Sequence, residues 1–151
     1  MIRMGFGPHL VLDGYGCEYD RLTDLSLIYR FLDECPERIG MTKIMPPYVF
    51  KYTGVNPKDW GVSGFVLIAE SHISLHTFPE KRYLSLDIFS CKDFDPTEAI
   101  NFGTELFLLE HYEHQLLSRG QEFPHDIIRS ARIVESERMR FGEEARLRSA
   151  V

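Results

Sequence analysis

Residues 61–91 read GVSGFVLIAESHISLHTFPEKRYLSLDIFSC, and this stretch decides the fold. It holds three strand-like apolar runs, at residues 61–69, 73–78 and 83–90, and the links between them are only a few residues long. Parallel strands need a crossover of about a dozen residues or more, whereas antiparallel neighbours can be joined by a tight turn. The stretch therefore predicts an antiparallel meander of three strands.

The chain before the meander begins with a strand and a helix. Residues 9–14 (HLVLDG) alternate apolar and polar side chains, which is typical of a half-buried strand. Asp20 is expected to cap a helix that ends at Pro36 and Gly40. The apolar face of this helix carries Leu25, Ile28, Phe31 and Leu32.

Three further segments complete the organisation of the chain. Residues 43–52 (KIMPPYVFKY) predict a strand, but Pro46 and Pro47 lack backbone donors, which restricts the strand to a sheet edge or a bulge. Residues 96–109 predict a second helix with a proline in its first turn. Residues 111–119 fit either a last strand or an extension of that helix.

These elements predict the α+β class. Helices segregated from several antiparallel strands form a two-layer α/β sandwich, with a mainly antiparallel sheet and the helices on one of its faces. The other face of the sheet is then a candidate partner surface.

The composition predicts one folded domain that binds a small molecule. The chain has 151 residues, 44% of them hydrophobic, and a formal net charge of -6. An acidic protein is a poor partner for nucleic acid or an anionic membrane, and no apolar run reaches the roughly 20 residues of a membrane helix. We therefore expect a cytoplasmic domain at residues 1–125 and a charged extension at 126–151, helical or partly disordered.

The three cysteines, Cys17, Cys35 and Cys91, show no CxxC spacing. They predict neither a disulfide framework nor a zinc knuckle. Free cysteine is usually a small buried apolar residue, and we expect this of Cys17 and Cys35. His72 and His76 are four residues apart, but this spacing converges on a metal in a helix rather than in a strand. The sequence therefore predicts no metal site.

A first polar cluster is expected where the first hairpin of the meander turns, at Glu70 and Ser71. If the second hairpin turns around Lys81, Ser71 falls opposite Cys91, within cross-strand reach. His76 is not expected to reach Ser71 within the same sheet. Five residues of extended strand span about 16 Å, and the odd spacing points the two side chains to opposite faces.

A second polar cluster is expected at the far end of the same hairpin. Ser63 is predicted opposite Phe78 and diagonal to His76, with Glu80 just beyond. A symmetric dimer contact brings one end of a protomer to the other end of its partner twice. A homodimer would therefore complete two sites, each joining Ser71 of one protomer to the second cluster of the other.

A family resemblance rests on these residues. The run GVSGFVLIAESHISLHTFPE followed by DIFSC resembles the short prokaryotic form of the S-adenosylmethionine decarboxylase proenzyme family, and PHLVLDGYG resembles that family's first strand. The likeness covers residues 8–118. It implies self-cleavage between Glu70 and Ser71, in which an ester forms, β-elimination breaks it and the resulting dehydroalanine hydrolyses to a pyruvoyl group. That group would form a Schiff base with the substrate amine and act as an electron sink.

The resemblance also implies roles for single residues. His76 would be the base for the elimination, Ser63 would hold the cyclic intermediate, and Cys91 would protonate the substrate carbon after carbon dioxide leaves. Glu80 matches the acidic residue that holds the ribose hydroxyls. The product would be decarboxylated S-adenosylmethionine, the aminopropyl donor for spermidine in polyamine biosynthesis.

The sequence departs from the family pattern around the substrate. Phe78 stands where the family commonly has Trp, Lys81-Arg82 replaces an aromatic-Gly pair, and the loop at residues 52–60 is longer than usual. These changes leave arginine or ornithine open as substrates of the same chemistry, and an unprocessed non-catalytic relative as a further alternative. The candidates to stack on adenine are Phe50, Tyr52 and Trp60.

Overall fold

Six antiparallel strands form one sheet in a computed structural model of the protein, which describes residues 5–122 and Arg140. The strands are β1 (Gly7–Tyr15), β2 (Tyr48–Thr53), β3 (Trp60–Ile68), β4 (Ser71–Phe78), β5 (Tyr83–Ser90) and β6 (His111–Arg119). Their order across the sheet is β2-β3-β4-β5-β1-β6, and each neighbouring pair is antiparallel. The predicted meander, β3-β4-β5, is confirmed, and so is the edge position of β2.

The helices among these described residues are α1 (Tyr19–Thr23), α2 (Leu25–Arg38) and α3 (Pro96–Phe107), with a short 3₁₀ turn at Pro79–Lys81. They pack on one face of the sheet and enclose a single apolar core with it. The predicted α+β two-layer sandwich is therefore confirmed. No described helix is long and apolar enough to cross a membrane. Core residues include Leu10, Val62, Ile73, Leu75 and Ile88 from the strands and Ile28, Phe31 and Leu32 from α2.

The opposite sheet face, which we call the open face, is not covered by any part of residues 5–122. Side chains alternate between faces along a strand, so the buried residues of β3 place Ser63, Phe65 and Leu67 on the open face. Phe65 and Leu67 are 37% and 41% exposed there. The same alternation places His72 and His76 of β4 on this face.

The start and end of α2 differ from the sequence prediction. Asp24 caps α2 instead of Asp20, because its extended backbone separates α1 from α2 and its carboxylate accepts hydrogen bonds from the backbone N–H groups two and three residues later, at 2.9 and 3.2 Å. Pro36 lies buried within the last turn of α2 rather than ending it. Gly40, in the left-handed conformation at φ 74°, follows the end of the helix as expected.

The register of the second hairpin differs from the prediction by one residue. Ser71 lies opposite Ser90, not Cys91. The cause is the turn, because the four residues 79–82 link β4 to β5 and Phe78 pairs with Tyr83. The prediction that the second hairpin turns around Lys81 was therefore wrong.

The register of the first hairpin brings the second polar cluster closer than predicted. Ser63 lies directly opposite His76, not opposite Phe78. Ile68 pairs with Ser71, so the turn holds only two residues and the strands are shifted relative to the predicted pairing.

The structure also defines two segments outside the meander that the sequence described incorrectly or left open. The strand expected at residues 43–52 begins only at Tyr48, after the two prolines, and Lys43 makes an isolated bridge to Ile68. Residues 111–119, for which strand and helix were both open, form β6 beside β1. The domain boundary at residue 125 and the extension 126–151 lie outside the described residues, apart from Arg140.

Candidate active site

Segments outside the β3-β4 hairpin contact Glu70 just before the peptide that joins it to Ser71. The backbone carbonyl of Glu70 accepts a hydrogen bond from the backbone N–H of Cys91, with an N···O distance of 2.9 Å. The Glu70 carboxylate accepts another from the backbone N–H of Thr42 at 3.2 Å. A backbone donor on a carbonyl stabilises negative charge that develops on its oxygen. The carbonyl that precedes Ser71 is therefore prepared for nucleophilic attack.

Ser71 combines a strained backbone with a partnered hydroxyl. Its φ of 149° lies in a region that only glycine enters readily. Such a conformation costs about 1–3 kcal/mol and persists where the surrounding structure imposes it. The Ser71 Oγ lies 3.1 Å from Nδ1 of His72. The strain and the hydroxyl contact therefore lie on the same residue, next to the polarised carbonyl.

His72 is held as a neutral imidazole on the open face. It lies in one row with Phe89 of β5 and His9 of β1. Burial lowers the pKa of His72, and the positive charges of His9 and Arg119 lower it further, while Asp87 acts in the opposite direction. A histidine with a lowered pKa is neutral near pH 7, which is the form that accepts a proton.

The thiol of Cys91 is held in the form that donates a proton. Burial raises the pKa of this thiol, and the charge of Glu70 raises it further. It is therefore protonated at neutral pH. Cys17 and Cys35 are fully buried, which confirms their interpretation as small core residues.

The second polar cluster lies on the open face, where β3 and β4 pair. The Ser63 Oγ is 2.8 Å from Nδ1 of His76. Behind this pair, the buried Thr77 hydroxyl accepts from the backbone N–H of Val62 at 3.0 Å and donates to a carbonyl of α1 at 2.8 Å. Gly61 allows the two strands to approach, because a Cβ there would lie 1.9 Å from the Thr77 carbonyl oxygen.

A cleft of about 180 Å³ opens beside this cluster. Glu80 is linked to the cleft through Trp60, because its carboxylate accepts hydrogen bonds from the indole of Trp60 at 3.2 Å and the hydroxyl of Tyr19 at 3.4 Å. The cleft thus joins aromatic surfaces, a carboxylate and the Ser63–His76 pair. Its lining residues are Tyr52, Asp59, Trp60, Gly61, Ser63, His76, Thr77 and Phe78.

Comparison with known proteins identifies the family. The family model described as S-adenosylmethionine decarboxylase matches residues 8–120. The chain belongs to the S-adenosylmethionine decarboxylase family. The family predicted from the run at residues 61–80, the later DIFSC and the opening PHLVLDGYG is thereby confirmed, and with it the enzyme class, a carboxy-lyase.

Similar proteins in this family come from archaea and bacteria. The S-adenosylmethionine decarboxylase proenzyme of Pyrococcus horikoshii is 34% identical over 128 residues, covering 81% of this chain and 88% of the relative. That of Archaeoglobus fulgidus is 36% identical over 115 residues, covering 76% and 97%. The crystal structure of the adenosylmethionine decarboxylase from Aquifex aeolicus superposes with a TM-score of 0.63 at 27% identity, covering 78% of this chain and 93% of that one.

Within the S-adenosylmethionine decarboxylase fold of this chain, the predicted site residues divide into two groups. Glu70, Ser71 and Cys91 meet at the β3-β4 turn. Ser63 and His76 meet five residues further along β4. The separation expected between Ser71 and His76 is therefore present in the protomer.

Only some of the residues predicted to bind the substrate line the cleft. Tyr52, Trp60 and Phe78 line the cleft, whereas Glu80 does not line it and is hydrogen-bonded to Trp60. Phe50 lies on β2 opposite Ser63 and contacts Tyr48 instead of lining the cleft.

Three residues near the site were missed by the sequence analysis. His72 belonged to the sequence signature and was weighed as a metal ligand but was given no catalytic role, although its place directly after Ser71 was a signal of contact with the hydroxyl. Asp59 lines the cleft and Tyr19 binds Glu80, but both come from irregular or helical segments whose position follows only from the tertiary fold. Within residues 5–122 and at Arg140, no group of three or more His, Cys, Asp or Glu side chains is arranged to hold a metal ion.

Proposed function

We propose that this protein is a self-processing, pyruvoyl-dependent decarboxylase that converts S-adenosylmethionine to decarboxylated S-adenosylmethionine for polyamine synthesis in the cytoplasm. The observation that carries the proposal is the environment of the Glu70–Ser71 peptide. Its carbonyl is hydrogen-bonded by Cys91 N–H, its serine backbone is strained, and the serine hydroxyl has a neutral imidazole 3.1 Å away. An ordinary hairpin turn requires none of these features.

Ser71 is suited to become the source of the pyruvoyl group. Attack of its Oγ on the Glu70 carbonyl carbon forms an ester and releases the Ser71 amine. Loss of the Ser71 α-proton and departure of the main-chain carboxylate of Glu70 then divide the chain after residue 70 and leave a dehydroalanine at position 71. Its imine tautomer is hydrolysed by water to the pyruvoyl group, and the former Ser71 nitrogen leaves as ammonia. The pyruvoyl group supplies a carbonyl that binds the substrate amine and withdraws electrons during loss of carbon dioxide. No separate cofactor is required.

The chain's own residues supply the remaining proton transfers. His76 would remove the Ser71 α-proton, and Ser63, which already shares a hydrogen bond with His76, would hold the intermediate. The protonated thiol of Cys91, next to Ser71 through its backbone contact with Glu70, would deliver a proton to the substrate carbon. These roles match the ionisation that burial gives to Cys91.

The cleft beside Ser63 and His76 suits a cationic nucleoside substrate. Tyr52, Trp60 and Phe78 present aromatic surfaces, which can stack on adenine and attract the positive sulfonium of S-adenosylmethionine. The Glu80 carboxylate is positioned to accept hydrogen bonds from ribose hydroxyls.

A homodimer would complete the site. Ser71 and His76 are on one strand but about 16 Å apart by strand geometry, so the second cluster of a partner must reach Ser71. The cleft volume of about 180 Å³ is below the roughly 300 Å³ of ordinary ligand pockets, which is expected if a partner supplies one wall. Phe65 and Leu67, half-exposed on the open face, give that partner an apolar contact.

Intact mass spectrometry tests the processing. Protein purified under native conditions is expected as two fragments divided after residue 70. Cyanoborohydride in the presence of S-adenosylmethionine should add mass only to the fragment that begins at position 71. The Ser71→Ala variant is the matched control and should remain one chain. A wild-type protein that stays uncleaved would contradict the proposal.

Release of labelled carbon dioxide tests the substrate. S-adenosylmethionine, arginine and ornithine are compared side by side with the processed protein. S-adenosylmethionine is expected to give the highest kcat/KM, because only it uses both the aromatic surfaces and the ribose contact of Glu80. If the processed protein prefers arginine or ornithine, the proposal of self-cleavage stands and the proposal that S-adenosylmethionine is the substrate is wrong.

A further inference from the structure

His72 is hydrogen-bonded to the nucleophile of the proposed cleavage, and no other step uses it. Its Nδ1 lies 3.1 Å from the Ser71 Oγ, a distance suited to proton transfer. His76 is at the other end of β4 and bonded to Ser63. Within one protomer, the imidazole that contacts the Ser71 hydroxyl is therefore His72.

We propose that His72 is the general base for the first step of self-cleavage and acts within its own protomer. The inference rests on the proposed function. It identifies the group that accepts the Ser71 hydroxyl proton when Oγ attacks the Glu70 carbonyl, which the proposed function does not specify. His76 and Ser63, contributed by the partner subunit, would then act only in the later elimination. The acyl shift would need one chain and the elimination would need two.

The proton and the bonds balance in this step. With the imidazole protonated on Nε2, the Ser71 hydroxyl donates its hydrogen bond to His72 Nδ1. Nδ1 takes the Oγ proton as Oγ bonds to the Glu70 carbonyl carbon, and the negative charge on the Glu70 oxygen is stabilised by Cys91 N–H. The C–N bond then breaks, Nδ1 returns the proton to the Ser71 nitrogen, and an ester with a free amine remains.

The backbone strain at Ser71 favours the same step. A φ of 149° costs about 1–3 kcal/mol in a residue with a side chain. Breaking the Glu70–Ser71 amide frees that nitrogen from the planar peptide and removes the constraint. The ester is therefore reached from a destabilised starting state.

Burial lowers the pKa of the His72 imidazole, His9 and Arg119 lower it further, and Asp87 opposes them. Asp87 of β5, His9 of β1 and Arg119 of β6 are the charged or titratable groups whose fields act on it, and His9 also pairs with Asp87 at 3.1 Å. Arg119 lies over the Phe89 ring, 4.3 Å from its centroid, next to His72 in the sheet. Its positive charge lowers the pKa of His72 and so preserves the basic form.

The first test is His72→Asn, which keeps a polar atom near the position of Nδ1 but removes the proton acceptor. Cleavage is followed from cell-free synthesis by gel electrophoresis, with and without hydroxylamine, which cuts esters but not ordinary amides. We expect cleavage about a hundredfold slower or more, and an accumulated chain that hydroxylamine leaves intact. His76→Asn should instead accumulate a chain that hydroxylamine cuts. His114→Asn, on the exposed edge strand β6, is the matched control and should cleave like wild type.

The outcomes separate this inference from the proposed function. A wild-type chain that does not cleave overturns both. A wild-type chain that cleaves while His72→Asn slows it less than about tenfold, or while His72→Asn accumulates the ester, overturns the role of His72 alone.

The second test does not change His72 and does not depend on how that variant folds. The base is active above its pKa, so cleavage should slow as pH falls through the lowered pKa of His72, below its ordinary value of about 6.5. Arg119→Gln removes a charge that lowers this pKa, so the acid limb should move to higher pH. Arg119→Lys keeps the charge and should leave the limb in place. An unmoved limb in Arg119→Gln contradicts the assignment.

Discussion

Cys91 carries two functions that belong to different atoms of one residue. Its backbone N–H binds the carbonyl of Glu70, and its thiol is kept protonated by burial. The first function survives any side-chain change except proline, whereas the second needs sulfur. The two steps of the proposed enzyme can therefore be separated at this position.

Cys91→Ala is expected to cleave after Glu70 yet lose most decarboxylase turnover. The alanine keeps the N–H that polarises the carbonyl but cannot protonate the substrate carbon. Fragment formation on gels and carbon dioxide release measure the two effects. Cys35→Ala removes a fully buried thiol of α2 and serves as the control with near wild-type activity. Full turnover in Cys91→Ala would remove the thiol from the mechanism.

At this scale, the residue types were readable from the sequence and their contacts were not. Glu70-Ser71-His72 with a later His and Cys was sufficient to predict the family. The contact of Ser71 with His72 depends on a positive φ and on side-chain torsions, and no sequence pattern specifies these. The hydrogen bond from Cys91 depends on a one-residue register, which the length of the second turn set differently from the prediction.

The N-terminus of α2 depends on one carboxylate. Asp24 accepts two backbone hydrogen bonds at the start of the helix, while Asp20, in α1, has no cap interaction of this kind. N-cap side chains of this type contribute about 1 kcal/mol. The pair gives a matched comparison within one short segment.

Asp24→Ala should lower the free energy of unfolding by about 1 kcal/mol, and Asp20→Ala by less than half of that. Both changes are best made in the uncleaved Ser71→Ala chain at one protein concentration, because cleavage and association would otherwise alter the measured stability. Urea unfolding gives the comparison. Equal losses in the two variants would mean that Asp24 does not act as the cap.

Elements were predicted best where apolar runs were separated by short links. The strands of the meander were predicted from three such runs, whose links are too short for parallel crossovers. Asp20 and Asp24 are equivalent as sequence signals, and only the extended backbone at Asp24 distinguishes them. Pro36 suggested a helix end, but it lies inside the last turn of α2, where burial of its ring offsets part of the cost of the lost backbone hydrogen bond.

For the whole molecule, the separation of the two polar clusters leads to a complementation test. His76→Ala and Ser71→Ala chains carrying different tags are produced together. In a mixed dimer, the His76→Ala chain keeps Ser71 and receives His76 of the partner subunit. That chain should therefore cleave in the mixture, although each variant alone stays intact.

Gel analysis of the two tags measures the result, and tag-specific purification isolates the mixed dimers. Recovery is limited to one of the two sites in each mixed dimer. If the His76→Ala chain remains uncleaved in isolated mixed dimers, the site lies within one protomer.

The strand order has a consequence for the cleaved protein. Residues 5–70 supply β1, β2 and β3, and the remaining described chain supplies β4, β5 and β6, yet β1 lies between β5 and β6. After scission the two fragments are interlaced, because each inserts a strand into the other's part of the sheet. Neither fragment can leave without opening three rows of hydrogen bonds, β3-β4, β5-β1 and β1-β6. Once melted, the pair would have to find each other again in solution, so assembly from the fragments would depend on their concentration in a way that first folding of the intact chain does not.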